Sequence, residues 1–594
     1  MAILIPERNV IEQQKVSPTS GEMALINFLE ATLDDEYEVY YQPFLNGKNP
    51  DVVLMRKGGG VLIIEVKDWS LANYDIDDGG NWRLRKNHSY VTSPFLQVEL
   101  YKKKLQDMNY RFLYETFQTK KVYGTIKTAV YFHCESRNNV LKFIEKNNIS
   151  EHIHIIGRDS LNSLFFNKLL YSTYIGRASK YFNNELYKSI KRYLKPTFHQ
   201  LEIGQEVAYT REQEILIKSE KGKRQKIKGT AGSGKTLVLA KRAVNAHLRT
   251  QKRVLILTFN ISLVNYIHDQ ISRVRENFAW KNFYITNYHS FFRESAKQYG
   301  LQINDRRDYN DKNFFSSRRE SIKKFDAIFI DEIQDYKQEW LYLIVSCFST
   351  PDTEMVVFGD EKQNIYDREL DENKEIVVHG IVGQWNRSLK KSFRLRHDIG
   401  CLAIDFQKKF LDGKYRLDEM LIAQSVFDFE PSVIECHEIS NLEEINDMIF
   451  DFIDKHNIHS NDVAILGDGI KTLRELDFRI RSKYQEDTMT TFEMQEEYKE
   501  MEKKGLLEES NLNQIRKAKK LGFWLNAGMI KLSTVHSFKG WEIHTVFLLI
   551  DEASTPELVY TGITRARQNI VIVNLGNTEF ADFFRKNTKR RGGC

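Results

Sequence analysis

Gly229-Thr230-Ala231-Gly232-Ser233-Gly234-Lys235-Thr236 decides the architecture, because it fills every fixed position of the pattern G-x-x-x-x-G-K-[ST]. Small residues let successive backbone N–H groups turn inward at the start of a helix, where unpaired donors and the helix dipole favour an anion. Lys235 is then placed to reach the β and γ phosphates of a nucleotide, and the Thr236 hydroxyl to ligate magnesium. The flanks agree: Lys226-Ile227-Lys228 closes a candidate strand and Leu237-Val238-Leu239-Ala240 continues as a candidate helix. Strand, phosphate loop and helix in that order read as one unit of a doubly wound parallel sheet.

A second segment strengthens the first. Phe325-Asp326-Ala327-Ile328-Phe329-Ile330 is an apolar run that ends in Asp331-Glu332. A buried strand of a parallel sheet delivers such acids to the carboxyl edge, where ligands sit in open α/β folds. Asp331 is placed to hold magnesium and Glu332 to activate or orient an attacking water, so the expected cofactors are ATP and Mg2+.

At 594 residues, with 41% hydrophobic and 12% aromatic side chains, the chain is too long for one domain and rich enough to bury several cores. A net charge of +6 identifies no partner by itself. Local stripes say more: Arg177 to Lys195 interleaves basic residues with Tyr181, Phe182, Tyr187 and Tyr193, and Lys218 to Lys228 is again basic. Such stripes can track a phosphate backbone, or simply form a solvated face. The five cysteines fall singly, at spacings that fit neither a zinc site nor a disulfide framework, and a reducing cytoplasm is the expected home. No apolar stretch approaches bilayer length, and Met1 to Arg8 lacks the order of a signal peptide, so no membrane partner is expected.

Along the chain, residues 1–170 read as a small α/β unit. Thr19 and Glu22 form a candidate capping box, and the runs Val52–Met55 and Val61–Lys67 flank Gly58-Gly59-Gly60 as a hairpin. A basic, aromatic linker is expected over 171–200, then a parallel-sheet unit over 201–390 with a small insertion near 292–324. A second such unit is expected over 391–594, with Val463–Leu466 and Val546–Leu549 as strands and a helical insertion at about 470–528.

Further segments narrow the reading. They are Tyr209 to Gln213, Leu257 to Asn260, Thr286 to Phe291, Phe358 to Tyr366, Leu389 to Arg394, Thr534 to Glu542 and Tyr560 to Ala566. In this order, with the phosphate loop and the Asp331-Glu332 acids, they resemble the motif set of superfamily 1 helicases of the UvrD/Rep type, over roughly residues 200–575. The resemblance implies two RecA-like parallel-sheet domains with an ATP site between them. It implies that Gln213 reads the adenine edge, Gln363 senses the γ phosphate, Arg394 and Arg565 act as arginine fingers, and Glu542 contacts the ribose. Phe259, Asn260, His289, Ser290, Tyr366 and His536 lie on segments that line single-stranded DNA in that family, where rings offer sequence-tolerant stacking. Phe291 and Phe393 are read as core residues. The stretches from Arg394 to Thr534 and from His289 to Asp331 are short beside the large accessory subdomains of full-size relatives, which favours translocation over processive unwinding.

The N-terminal unit carries separate chemistry. Pro50-Asp51, then Glu65-Val66-Lys67 on the paired strand, matches the P-D…(D/E)-x-K pattern of restriction-type nucleases. Side chains alternate along a strand, so Glu65 and Lys67 share a face; Asp51 and Glu65 can share a magnesium ion while Lys67 positions water or stabilises the phosphorane. Glu22 on the first helix and Gln97, with Tyr101 and Lys104 beyond it, extend the likeness to the nuclease-related (NERD) domain. The expected fold class is therefore α/β: a restriction-endonuclease-like domain followed by two RecA-like doubly wound parallel sheets. The expected activity is an ATP-driven motor on single-stranded or branched DNA coupled to a magnesium-dependent nuclease. It resembles bacterial anti-phage nuclease–helicase proteins, which implies defence against phage or foreign DNA. Two other readings stay open: a repair helicase whose N-terminal unit only binds DNA, and an ATP-gated switch without motor activity.

Overall fold

A computed structural model describes the chain except for residues 15, 46–47, 78–79, 108–123, 146–151, 205, 367, 369, 371, 373, 379, 394, 416, 418–420, 423–430, 440 and 589–594. The protein is α/β, built on three six-stranded sheets.

The first sheet runs in the order Ile3–Ile5, Tyr37–Tyr41, Val52–Arg56, Gly60–Lys67, Ile126–Phe132, Ile153–Gly157. The expected hairpin is present: Val52–Arg56 and Gly60–Lys67 pair antiparallel, and Gly58 turns the chain at a φ of 71°, a left-handed conformation that glycine adopts without Cβ strain. Alternation sends Val61 and Ile63 to one face and Leu62, Ile64 and Val66 to the other. Each face is covered. Helices Ser20–Thr32 and Ser163–Ser172 bury Leu25, Leu29, Phe166 and Leu170 on one side, and Pro94–Asp107 and Asn184–Leu194 bury Val98, Tyr101, Ile190 and Tyr193 on the other. Each such fully buried aliphatic or aromatic side chain stabilises by about 1.5–3 kcal/mol.

The second sheet is parallel throughout, in the order Phe283–Asn287, Val254–Thr258, Ala327–Ile330, Glu354–Gly359, Arg224–Gly229, Asn386–Leu389. The third is parallel as well: Val433–Glu438, Ala566–Asn574, Ile543–Ile550, Val463–Gly467, Ile530–Thr534, Thr488–Thr490. Both have near-continuous apolar strands because helices cover both faces. The two sheets meet in a shared core, where Ala231, Leu263 and Tyr266 pack with Val535, Phe538 and Trp541.

Two segments and one cysteine depart from their sequence reading. Within 470–528, helix Ile470–Lys483 buries Leu473, Leu476 and Ile480, and Thr488–Thr490 is an edge strand; only Gln495–Lys503 and Glu509–Leu521 bury nothing. Within 171–200, Asn184–Leu194 is a helix packed on the first sheet instead of a linker, because Leu186, Ile190, Tyr193 and Leu194 form an apolar stripe. Of the cysteines, Cys134, Cys347 and Cys436 are free thiols, but Cys401 is disulfide-bonded, so isolated spacing did not report pairing. Among the described residues no helix is long and apolar enough to cross a membrane.

Candidate functional site

The phosphate loop follows strand Arg224–Gly229 and opens helix Lys235–Thr250. Gly234 takes a φ of 85°, and a Cβ there would lie 2.6 Å from the Gln213 amide nitrogen, so both backbone and space require glycine. Lys235 donates to the carbonyls of Gly229 (2.8 Å) and Thr230 (3.1 Å), while Ser233 Oγ donates to Thr230 O at 2.8 Å. Thr236 Oγ1 lies 3.3 Å from Asp331 Oδ2, which brings together the two residues expected to hold magnesium. Burial, then the neighbouring Glu332 charge, pushes the Asp331 carboxyl up to about 7. A buried carboxylate with that excess of negative charge is suited to a divalent cation.

A cleft opens over this loop between the second and third sheets. Residues 231–236 form its floor, Glu332 and Gln363 stand on the second sheet's side, and Glu542 and Arg565 approach from the third. Arg565 Nη2 donates to Gln363 Oε1 at 3.1 Å, and Arg565 also donates to the carbonyls of Thr561 and Trp541. Glu542 Oε1 accepts from the Tyr266 hydroxyl at 2.7 Å. Gln213 sits behind the loop. Its amide closes a capping box with Thr210 N (3.0 Å) and donates to Ser233 O (3.1 Å), so it props the loop from beneath. Arg394 lies outside the described residues.

Residues not singled out in sequence complete the cleft. Lys539, fully buried, crosses from the third sheet to donate to both Asp335 oxygens at 2.7 and 2.8 Å and to Gln363 O at 2.5 Å. Glu202 pairs with Arg567 at 2.9 Å and with Arg273 at 3.2 Å, all three on the cleft wall. Burial works to raise the Glu202 carboxyl, and Arg567 with Arg273 outweighs it, holding it down at about 2. Phe393, expected in the core, is instead 45% exposed and lines the cleft, tethered by its N–H to Gly232 O at 3.0 Å. Phe291 is buried as expected. Lys539 could have been found, since it falls inside the Thr534 to Glu542 motif; Glu202 lies outside every motif and has no spacing signal.

The expected nucleic-acid residues split into two groups. Phe259, Tyr366 and His536 form a run of rings across the inter-sheet junction, with centroids 4.7 Å apart for Phe259–Tyr366 and 5.5 Å for Tyr366–His536. His289 joins it through Trp340, which lies 4.9 Å from His289 and 6.2 Å from Phe259. Asn260 and Ser290 make internal bonds instead: Asn260 Nδ2 donates to His536 O at 2.8 Å, joining the two sheets, and Ser290 is held by the Asn287 helix cap. Short polar side chains at strand–helix turns are drawn to local backbone partners.

In the first sheet Asp51 and Glu65 are brought together with Lys67 and Glu22. Asp51 Oδ2 accepts from Val66 N at 2.7 Å, and Lys67 Nζ lies 2.5 Å from Glu65 Oε1. Glu65 Oε2 is buried without a hydrogen-bond partner, an orphaned acceptor in a site where a cation would satisfy it. Burial, then Glu65, pushes Asp51 up to about 8; burial raises Glu65 as well, against the pull of Lys67. The pair therefore fits a hard divalent ion, although no group of three or more acids, histidines or cysteines gathers at metal-holding distance among the described residues. Glu22 completes the capping box on Thr19 (2.7 Å) and also accepts from Gln42 Nε2 (3.1 Å) and the Tyr41 hydroxyl (3.3 Å). Gln97 reaches the site through Tyr101, which senses the Glu65 and Asp51 charges.

Residues 17–133 match the family model of the nuclease-related domain (NERD), and residues 212–369 match that of an AAA domain. No curated protein matches the chain. The chain thus carries a stretch similar to nuclease-related domains followed by one similar to AAA domains, a pairing that suggests nucleic acid as partner.

Proposed function

We propose that the chain is an ATP-dependent superfamily 1 DNA translocase or helicase coupled to a magnesium-dependent DNA nuclease, acting in bacterial defence against phage or foreign DNA. The division is a nuclease-related domain over 1–170, motor domains over 201–390 and 391–594, and the segment 171–200 between them. The observation that carries the motor reading is the cleft itself: a phosphate loop and paired acids from one parallel sheet face Arg565 and Glu542 from another. ATP bound there would bridge the two sheets, so that hydrolysis changes their contact.

In that reading the loop N–H groups and Lys235 hold the phosphates, and the exposed Phe393 ring offers a face to the base. Glu332 orients the attacking water and takes its proton, while Arg565 and Arg394 meet the charge that develops on the γ phosphate. Gln363, bonded to Arg565 and followed by Tyr366 on the ring run, ties hydrolysis to the strand-binding face. Thr236 and Asp331 would hold Mg2+ at the phosphates, and Asp51 with Glu65 a second at the scissile phosphodiester, where the ion supplies charge neutralisation and an acidified water. Lys67 would position that water.

A second reading, in which the first domain binds DNA without cutting it, is favoured by the capture of Glu65 by Lys67. Cleavage of duplex, single-stranded, nicked and forked DNA, with and without ATP, tests both. Magnesium-dependent cleavage that persists in Glu65→Ala protein removes the acid pair from the mechanism; turnover unmoved by any DNA or RNA, with Lys235→Ala as blank, removes the motor.

A further inference from the structure

The short helix Phe198–Gly204 touches both sites. Its Glu202 is the carboxylate held between Arg273 and Arg567 on the wall of the nucleotide cleft. Two residues earlier, Gln200 Nε2 donates to the carbonyl of Gln42 at 2.9 Å. Gln42 is a hub. Its backbone sits at a φ of 44°, a left-handed conformation unusual outside glycine, and its N–H donates to the carbonyl of Asp51 at 3.0 Å. Its side chain donates to Glu22 Oε1 at 3.1 Å, and the Glu22 charge is felt by both Asp51 and Glu65. The start of the helix is anchored to the third sheet's unit, with Phe198 N on Asp462 Oδ2 (2.9 Å) and Thr197 Oγ1 on Asn526 Oδ1 (3.2 Å).

We propose that Gln200 and Gln42 are positioning residues for the Asp51–Glu65 pair, and that Glu202 sets them from the nucleotide cleft so that nucleotide occupancy restrains the pair. The inference rests on the nucleotide-cleft reading above. A polyphosphate entering the cleft offers Arg273 and Arg567 a stronger anion than one carboxylate, and repels that carboxylate. Glu202 then leaves its arginines, and the helix swings about its anchored start. The Gln200 bond to Gln42 is lost. A strained backbone persists only while its surroundings hold it. Released, Gln42 relaxes, its N–H leaves Asp51 and its amide leaves Glu22, and the acids lose their relative placement. Cations on one wall, a polar bond at one helix face and a strained hub form one contiguous network.

Hydrogen exchange on the full chain reads the coupling without requiring cleavage. With a non-hydrolysable ATP analogue at saturation, exchange of the Gln42 amide rises at least fivefold in the native chain and stays unchanged in Gln200→Ala. Gln200→Met keeps the side-chain bulk and removes the donor; its agreement with Gln200→Ala rules out a packing defect. Glu202→Gln shows the raised exchange without nucleotide. In parallel, magnesium-dependent cleavage by the native chain falls at least threefold with the analogue, and cleavage by Gln200→Ala is the same with or without it. Unchanged Gln42 exchange in a native chain that binds the analogue overturns the coupling alone, as does a native-sized response in Gln200→Ala. A chain that responds in exchange but cuts no DNA supports the coupling and sinks the nuclease reading. A chain that binds no nucleotide sinks the motor and the coupling together.

Discussion

Two carboxyls in one buried pocket cannot both shed their protons cheaply, and on the proposed reading this sets how the Asp51–Glu65 pair would meet a metal. With Asp51 pushed up to about 8 by burial and by Glu65, the metal-free pair keeps a proton on Asp51 through neutral pH. Magnesium needs both acids ionised, so below that value binding must expel the proton, and each unit of falling pH costs about tenfold in apparent affinity. The sign is fixed: affinity rises as pH rises towards about 8. Magnesium titrations of cleavage between pH 6.5 and 9 measure the slope, and a flat profile is incompatible with a shared buried pair. The P-D…(D/E)-x-K pattern across a hairpin made this pair legible in sequence, as fixed spacing did for Lys235 and Thr236. Glu202 and Gln42 were not legible. Their partners, Arg567 and Gln200, lie far away in sequence, and a lone Glu or Gln carries no periodicity that says what it will meet.

The element that sequence misread most is helix Asn184–Leu194. Its cations and rings could be read as a phosphate-tracking stripe or a solvated face, yet its apolar side is core and Tyr187, Lys191 and Arg192 are spent on protein. Lys191 and the Tyr187 hydroxyl bond Glu38 of the first sheet, while Arg192 pairs with Asp454 and Glu486 of the third sheet's unit. A charge run and a strut have the same composition; only the opposing carboxylates decide between them, and those come from distant segments. Arg192 is 11% exposed and Glu486 6%, so Arg192→Ala strands a buried carboxylate. Breaking such a pair costs 3–5 kcal/mol, and because Tyr193 and Ser460 still donate to Glu486 the expected loss is about 3 kcal/mol, seen as a lowered unfolding midpoint. The same variant separates strut from stripe. Loss of one phosphate contact would shallow the logarithmic salt dependence of DNA binding by about 0.9, whereas a strut leaves that slope unchanged.

At the scale of the whole molecule, the two parallel sheets were foreseeable because buried parallel strands are continuous apolar runs, but their junction was not, since nothing local encodes which loops will face each other. Lys539 is the centre of that junction. It brings a buried cation from the third sheet to Asp335, Glu332 and the Gln363 carbonyl, on the strand-end acids and the ring-bearing segment of the second. Burial pushes Asp335 up to about 7 even though Lys539 opposes it, so the acid depends on this partner to stay charged near neutrality. Lys539→Ala therefore leaves Asp335 protonated and unlatches the hydrolysis side of the cleft from Tyr366 and His536. The phosphate loop, held by its own carbonyl and Gln213 bonds, is untouched. Nucleotide affinity should stay within about threefold of native, a difference below 1 kcal/mol. Stimulation of ATP turnover by single-stranded DNA, expected to be at least tenfold in the native chain, should fall to the basal rate in the variant. Steady-state turnover with and without DNA, beside equilibrium nucleotide binding, measures the two separately. Full DNA stimulation in the variant would place the transmission elsewhere, whereas lost nucleotide binding would mean that Lys539 holds the loop and not the latch.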